Sequence, residues 1–94
     1  MQIEIAMTEN EAGRCYTLTT EKAAMSVSVC RNFVAVCAHN AAAGLNRNLG
    51  GKVFHGPDAL SKAIAGYKSA ASKAMLETVQ SAERALTMAA TAEA

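Results

Sequence analysis

The most reactive side chains in this chain belong to three cysteines and two histidines: Cys15, Cys30, Cys37, His39 and His55. Cys37 and His39 are two residues apart, so on a strand both would share a face, a workable geometry for two metal ligands. A structural zinc site wants four ligands, typically as two short-spaced pairs, and no Cys-x-x-Cys is present. The same residues offer a thiol and an imidazole for nucleophilic catalysis, which also requires an orienting Asn or Asp and an oxyanion hole. Asn40 adjoins His39 in sequence, whereas such triads draw their members from separate elements. Gly44 and Gly50-Gly51-Lys52 have the composition of a phosphate-binding loop. The spacing is too long, however, and Val53 stands where that motif needs a hydroxyl. The sequence therefore predicts no catalytic residue, no metal site and no cofactor.

Charge is the second source of chemistry. The net charge of +1 is unevenly spread. Residues 1–24 set Arg14 and Lys22 against four glutamates, and residues 69–94 set Lys73 and Arg84 against three. Residues 25–68 carry Arg31, Arg47, Lys52, Lys62 and Lys68 against Asp58 alone. Lys52, beside two glycines, can meet a phosphate as a point charge. Arg31, Arg47 and Lys52 are the expected phosphate contacts, with Lys62 and Lys68 secondary. Hydroxyls at Thr17, Thr19, Ser26 and Ser28 could line a sheet surface that tracks a nucleic-acid backbone. Single-strand binding also needs stacking aromatics, for which Tyr16, Phe33 and Phe54 are available. The expectation is a small non-enzymatic protein that binds single-stranded DNA or RNA through a basic loop and a sheet face. The alternative is a protein-interaction module or small inhibitor that works through a sheet edge or a helix overhang.

These residues must be positioned by strands and then by helix. Ile3, Ile5 and Met7 alternate with Gln2, Glu4 and Ala6, the pattern of a strand with one buried face. Glu9–Gly13 is a polar turn closed by glycine, so Arg14–Thr20 should return antiparallel. Met25, Val27 and Val29 alternate with Ser26, Ser28 and Cys30. Arg31-Asn32 suits a two-residue hairpin turn, Asn tolerating the left-handed conformation, though one long bulged strand from Met25 to His39 is the alternative. In the fourth strand, either Phe33, Ala35 and Cys37 or Val34 and Val36 face inward. Residues 40–49 read equally as a short helix or a loop. Lys52–His55 is a fifth, edge strand or an extended lead into the helix.

The chain is organised around its C-terminal helical segment. Pro57 sits at or near a first helical position, with Gly56 or Asp58 as cap. Leu60, Ile64, Tyr67, Ala71, Ala74 and Met75 recur at three- and four-residue spacing, and Val79, Ala82, Leu86 and Ala89 continue the stripe. One long helix over about 57–90 would span roughly 45 Å at 1.5 Å per residue. Strands of five to seven residues reach only about 17–23 Å. The end of the helix must overhang, fray or meet another chain. Its small and soft side chains favour a homodimer, with Met75, Val79 and Leu86 at the interface.

Ninety-four residues make a single domain, residues 1–94, and the absence of tryptophan keeps the core small enough that oligomerisation would help it. An odd number of cysteines, each on a strand, is read as buried free thiols. The first residues lack the basic and apolar regions of a signal peptide, and no run approaches a membrane span. A reducing cytoplasm is the expected setting.

Four strands and then one long helix resembles, in element order, the PC4-like and Whirly-like group of single-stranded-DNA-binding proteins. That resemblance implies a sheet and helix that dimerise, with the sheet face taking the strand. Gly-Gly-Lys-Val-Phe at 50–54 with Tyr67-Lys68-Ser69 is also similar to small uncharacterised proteins carried on conjugative mobile elements, a likeness that implies no activity. The fold expected is α+β: an antiparallel four- or five-stranded sheet with a C-terminal helix across one face.

Overall fold

A computed structural model describes residues 2–21, 23–40 and 48–93. Five strands, β1 (Glu4–Asn10), β2 (Gly13–Thr19), β3 (Ala23–Cys30), β4 (Phe33–Asn40) and β5 (Asn48–His55), form one open antiparallel sheet in sequence order. Two helices come next, α1 (Ala59–Gly66) and α2 (Ala70–Glu93), which gives an α+β fold. Residues 41–47, within the stretch that reads as helix or loop, and Arg47 with them, lie outside the described residues.

Alternation along the strands fixes which side is core. Tyr16 faces Val27 across β2–β3, Val27 faces Val36, and Val34 faces Phe54. Directly opposed residues share a face, so all of these point the same way. Tyr16, Leu18, Met25, Val27, Val34 and Val36 are buried there beneath Ala59, Ala63, Met75, Leu76 and Val79. Each fully buried Leu, Val or Met side chain contributes about 1.5–3 kcal/mol over its exposed state. Val34 and Val36 are thus the inward pair of β4, and Phe33, Ala35 and Cys37 turn to the uncovered face.

Two turns depend on glycine. A Cβ on Gly13 would come within 2.2 Å of the Val29 carbonyl oxygen, so only glycine lets β2 and β3 close at that point. Asn10 completes this first turn by accepting the N–H groups of Ala12 and Gly13 through Oδ1 at 2.8 and 3.1 Å. Gly56 takes a φ of 100° where β5 turns into α1, a conformation that other residues rarely adopt. Its N–H donates to the Asn32 carbonyl at 3.2 Å and anchors the β3–β4 hairpin against the end of β5. The Arg31-Asn32 hairpin is present, but Asn32 does not use the left-handed conformation expected of it.

Four expectations need correction. The helical segment is interrupted: residues 67–69 leave the helix, with Tyr67 extended at φ −103° and ψ 135°. Ser69 starts α2, its Oγ 3.4 Å from the Ser72 N–H, and Lys73 Nζ donates to the Ile64 carbonyl at 2.7 Å, satisfying the end of α1. Pro57 belongs to the preceding turn, since α1 begins at Ala59 after Asp58, whose side chain makes no capping bond. Met75 and Val79 are 1% and 0% exposed within one chain, so neither is free for a dimer interface; Leu86, at 43%, is. Ile5 and Met7 do point to the helix side, yet remain 43% and 44% exposed because β1 is an edge strand. The helices pack over β3, β4 and β5 and reach β2 through Glu83.

Candidate nucleic-acid interface

The uncovered face of the sheet is built from small polar side chains. One row across all five strands reads Thr8, Cys15, Ser28, Ala35, Val53, and the next reads Ala6, Thr17, Ser26, Cys37, Gly51. Cys15, Cys30 and Cys37 are free and half-buried on this face, not core residues as their types suggest. Ser28 Oγ lies 3.8 Å from Cys15 Sγ. Among the described residues, no group of three or more His, Cys, Asp or Glu is placed to hold a metal ion. The register of β4 shifts between Cys37 and His39, at the pair considered as ligands.

At one end of the face the character changes. Phe33, 38% exposed, stands opposite His55, and their ring centroids are 6.3 Å apart with planes inclined at 47°. Both rings are held by β-strand backbone, and Gly56 ties the adjoining Asn32 turn to the end of β5. Arg31 is exposed in that turn. Lys62, on the first turn of α1, lies at the same end, its Nζ 2.9 Å from the His55 carbonyl and 3.3 Å from Asp58 Oδ1. The result is a two-ring platform with two cations at its rim.

The four expected basic residues within the described structure therefore divide. Arg31, in the turn before Phe33, and Lys62, on the His55 carbonyl, belong to the same end of the sheet. Lys52 does not join them: it lies on the helix side of β5, its Nζ 4.9 Å from the centroid of Tyr67. Lys68 adjoins Tyr67 in the link between the helices and is exposed. Burial raises the Tyr67 hydroxyl above its ordinary pKa, so the ring beneath Lys52 stays neutral at physiological pH. No Lys or Arg lies on the uncovered face of β1–β4 among the described residues, so its charge is supplied from the rim.

Spacing alone marks His55 only as a possible ligand and leaves the direction of Phe33 open. The signal lies in β4: two β-branched valines alternate with Phe33, Ala35 and Cys37, and the valines suit the face packed by helix. Once they point inward, Phe33 must point out.

A second constellation has no signature in the sequence. Glu83 of α2 accepts from Arg14 Nε and Nη2, both at 2.6 Å, and from the hydroxyl of the buried Tyr16. Burial by itself would push the Glu83 carboxyl up, but the Arg14 and Tyr16 hydrogen bonds and the Arg14 charge outweigh it and hold it below its ordinary value. The bond to Glu83 raises Arg14 further still. Burial and the Glu83 bond push Tyr16 up to about 12. Three groups that hold these protonation states across physiological pH make a clamp between layers, not an acid–base pair. Comparison of the chain with protein-family models, with curated proteins and with solved structures yields no match in any of the three.

Proposed function

We propose that this is a small non-enzymatic protein, at work in the cytoplasm, that binds single-stranded nucleic acid at the Phe33–His55 end of its uncovered sheet face. The observation that carries this reading is the exposed ring pair with Arg31 and Lys62 at its edge. An unpaired base can stack on the rings while its flanking phosphates meet the cations, the combination single-strand binding uses. Lys52 and Lys68, around Tyr67 on the other side of β5, and Arg47 are assigned to secondary backbone contacts. The Ser and Thr rows offer hydroxyl donors to sugar and phosphate along the face.

Fluorescence anisotropy of labelled single-stranded and duplex oligonucleotides at about 50 and 200 mM salt tests this. The expected result is salt-sensitive binding that prefers single strands. Phe33→Ala should weaken it by about tenfold, the equivalent of about 1.4 kcal/mol of stacking. Arg31→Ala should weaken it and reduce the salt slope by about one. Absence of binding at low salt would sink the proposal. A protein-interaction module or inhibitor is the competing reading, favoured by the exposed Leu86 and Met88 on the α2 overhang. It requires indifference to nucleic acid and sensitivity to those two side chains.

A further inference from the structure

We infer that β1 pairs antiparallel with β1 of a second copy of this chain, joining two sheets into one of ten strands. The two edges of the sheet are built differently. β5 carries Gly50-Gly51, turns Lys52 toward the helix side and shifts register against β4. Such devices spoil an edge for further pairing. β1 pairs with β2 through seven consecutive residues without irregularity, and all seven are exposed. Its stretch contains no Lys, Arg, Pro or Gly, and its two carboxylates, Glu4 and Glu9, lie toward its ends. Between them Ile5 and Met7 stand half-exposed beside Leu18 and Tyr16, their buried partners on β2.

A second copy is the occupant that the strand's own sequence fits. A twofold axis normal to the sheet keeps each helix side in line with its counterpart, and it must pass beside one residue of β1. Centred on Ala6, it sets Ile5 against Met7 of the second copy twice, making a four-residue apolar cluster that continues the core. On the other face Glu4 meets Thr8, and no two carboxylates are opposed. Glu9 falls beyond the paired stretch and keeps its 3.6 Å ion pair with Arg14. Centred on Met7, the axis would set each Ile5 against Glu9. Centred on Ile5, it would pair only three strand residues per copy. The Ala6 register alone combines length with apolar matching.

Sedimentation equilibrium of the full chain, with Met7→Lys beside it, is the first test. Wild type should have twice the 9.8 kDa chain mass, and Met7→Lys should be a monomer with unchanged circular dichroism, its side chain being exposed in the fold. The register is tested with Cys15, Cys30 and Cys37 replaced by serine. Ala6→Cys in that background should form a disulfide-linked dimer on mild oxidation, because the two Cβ atoms face each other at the axis. Thr8→Cys, opposite Glu4, should not. A wild type that stays monomeric at every concentration overturns the inference. So does a dimer that survives Met7→Lys but is lost in Leu86→Glu/Met88→Glu, or cross-linking that is as ready at Thr8 as at Ala6.

Discussion

Glu83 is the residue on which the joining of the two layers turns, since it receives both Arg14 and Tyr16 from β2. Its side chain is 17% exposed and that of Arg14 30%, so the pair is only partly screened by solvent. Glu83→Ala leaves a cation and a buried hydroxyl without their acceptor and should cost about 2 kcal/mol of unfolding free energy in urea titrations. The pH profile has a definite sign. Because the folded-state pKa of Glu83 is lowered from 4.5, its contribution is complete above that value and lost as pH falls through the folded pKa. Tyr16 is raised from 10 to about 12, so its contribution is complete below pH 10 and lost as pH rises toward 12. Melting temperatures across pH should therefore fall on both sides. Glu83→Gln should flatten the acid limb, and Tyr16→Phe the alkaline one. Gly13→Ala tests packing alone: with the Val29 oxygen 2.2 Å from the added carbon, the hairpin must shift. A loss of more than about 1 kcal/mol is expected there.

At the level of elements, the break between α1 and α2 explains how one helical segment covers a twisted sheet. The Phe54 ring lies against Gly66, where an added Cβ would meet it at 3.2 Å, and Tyr67 packs on Phe54 with centroids 6.4 Å apart. The chain leaves the helix to place that ring and resumes at the Ser69 cap. Ser69→Ala should cost about 1 kcal/mol, measured by thermal unfolding. Both signs of the break are in the sequence, as a glycine near a helix end and a serine at a helix start. They are hidden because the apolar stripe runs through Tyr67 without a change of phase. The sheet is more legible, because alternation of Val27 and Val29 with Ser26 and Ser28 admits one buried face. The burial of β1 is not. Periodicity shows which face Ile5 and Met7 belong to, and only the width of the helical layer decides whether that face is covered. The same limit applies to Met75 and Val79: apolar residues at helical spacing read alike whether a sheet or a second chain receives them.

The whole molecule is asymmetric in a way that joins its two proposed surfaces. One face is closed by helix and the other is open. One edge is protected by Lys52 and a register shift, and the other is bare. Pairing at the bare edge places both uncovered faces on the same side. The two Phe33 platforms are then seven strand spacings apart across the sheet, about 34 Å at 4.8 Å each. Because Phe33 is in line with Asn10, they are also eight residues apart along the strands, about 27 Å, for a separation of about 43 Å. Each platform is small, and one stacked base with a few phosphates supports only modest affinity. A strand long enough to reach both would turn its second contact into an intramolecular one, a gain that can reach about a hundredfold without any new interaction. Affinity for single strands should then rise steeply once the oligonucleotide spans the two sites. Met7→Lys should bind short oligonucleotides as wild type does and lose the rise with length. Phe33→Ala should lower affinity at every length while leaving the dimer intact. Anisotropy titrations over a length series, with sedimentation on the same samples, separate these outcomes. A smooth increase shared by wild type and Met7→Lys would mean that each copy acts alone, with the paired edge serving stability and not binding.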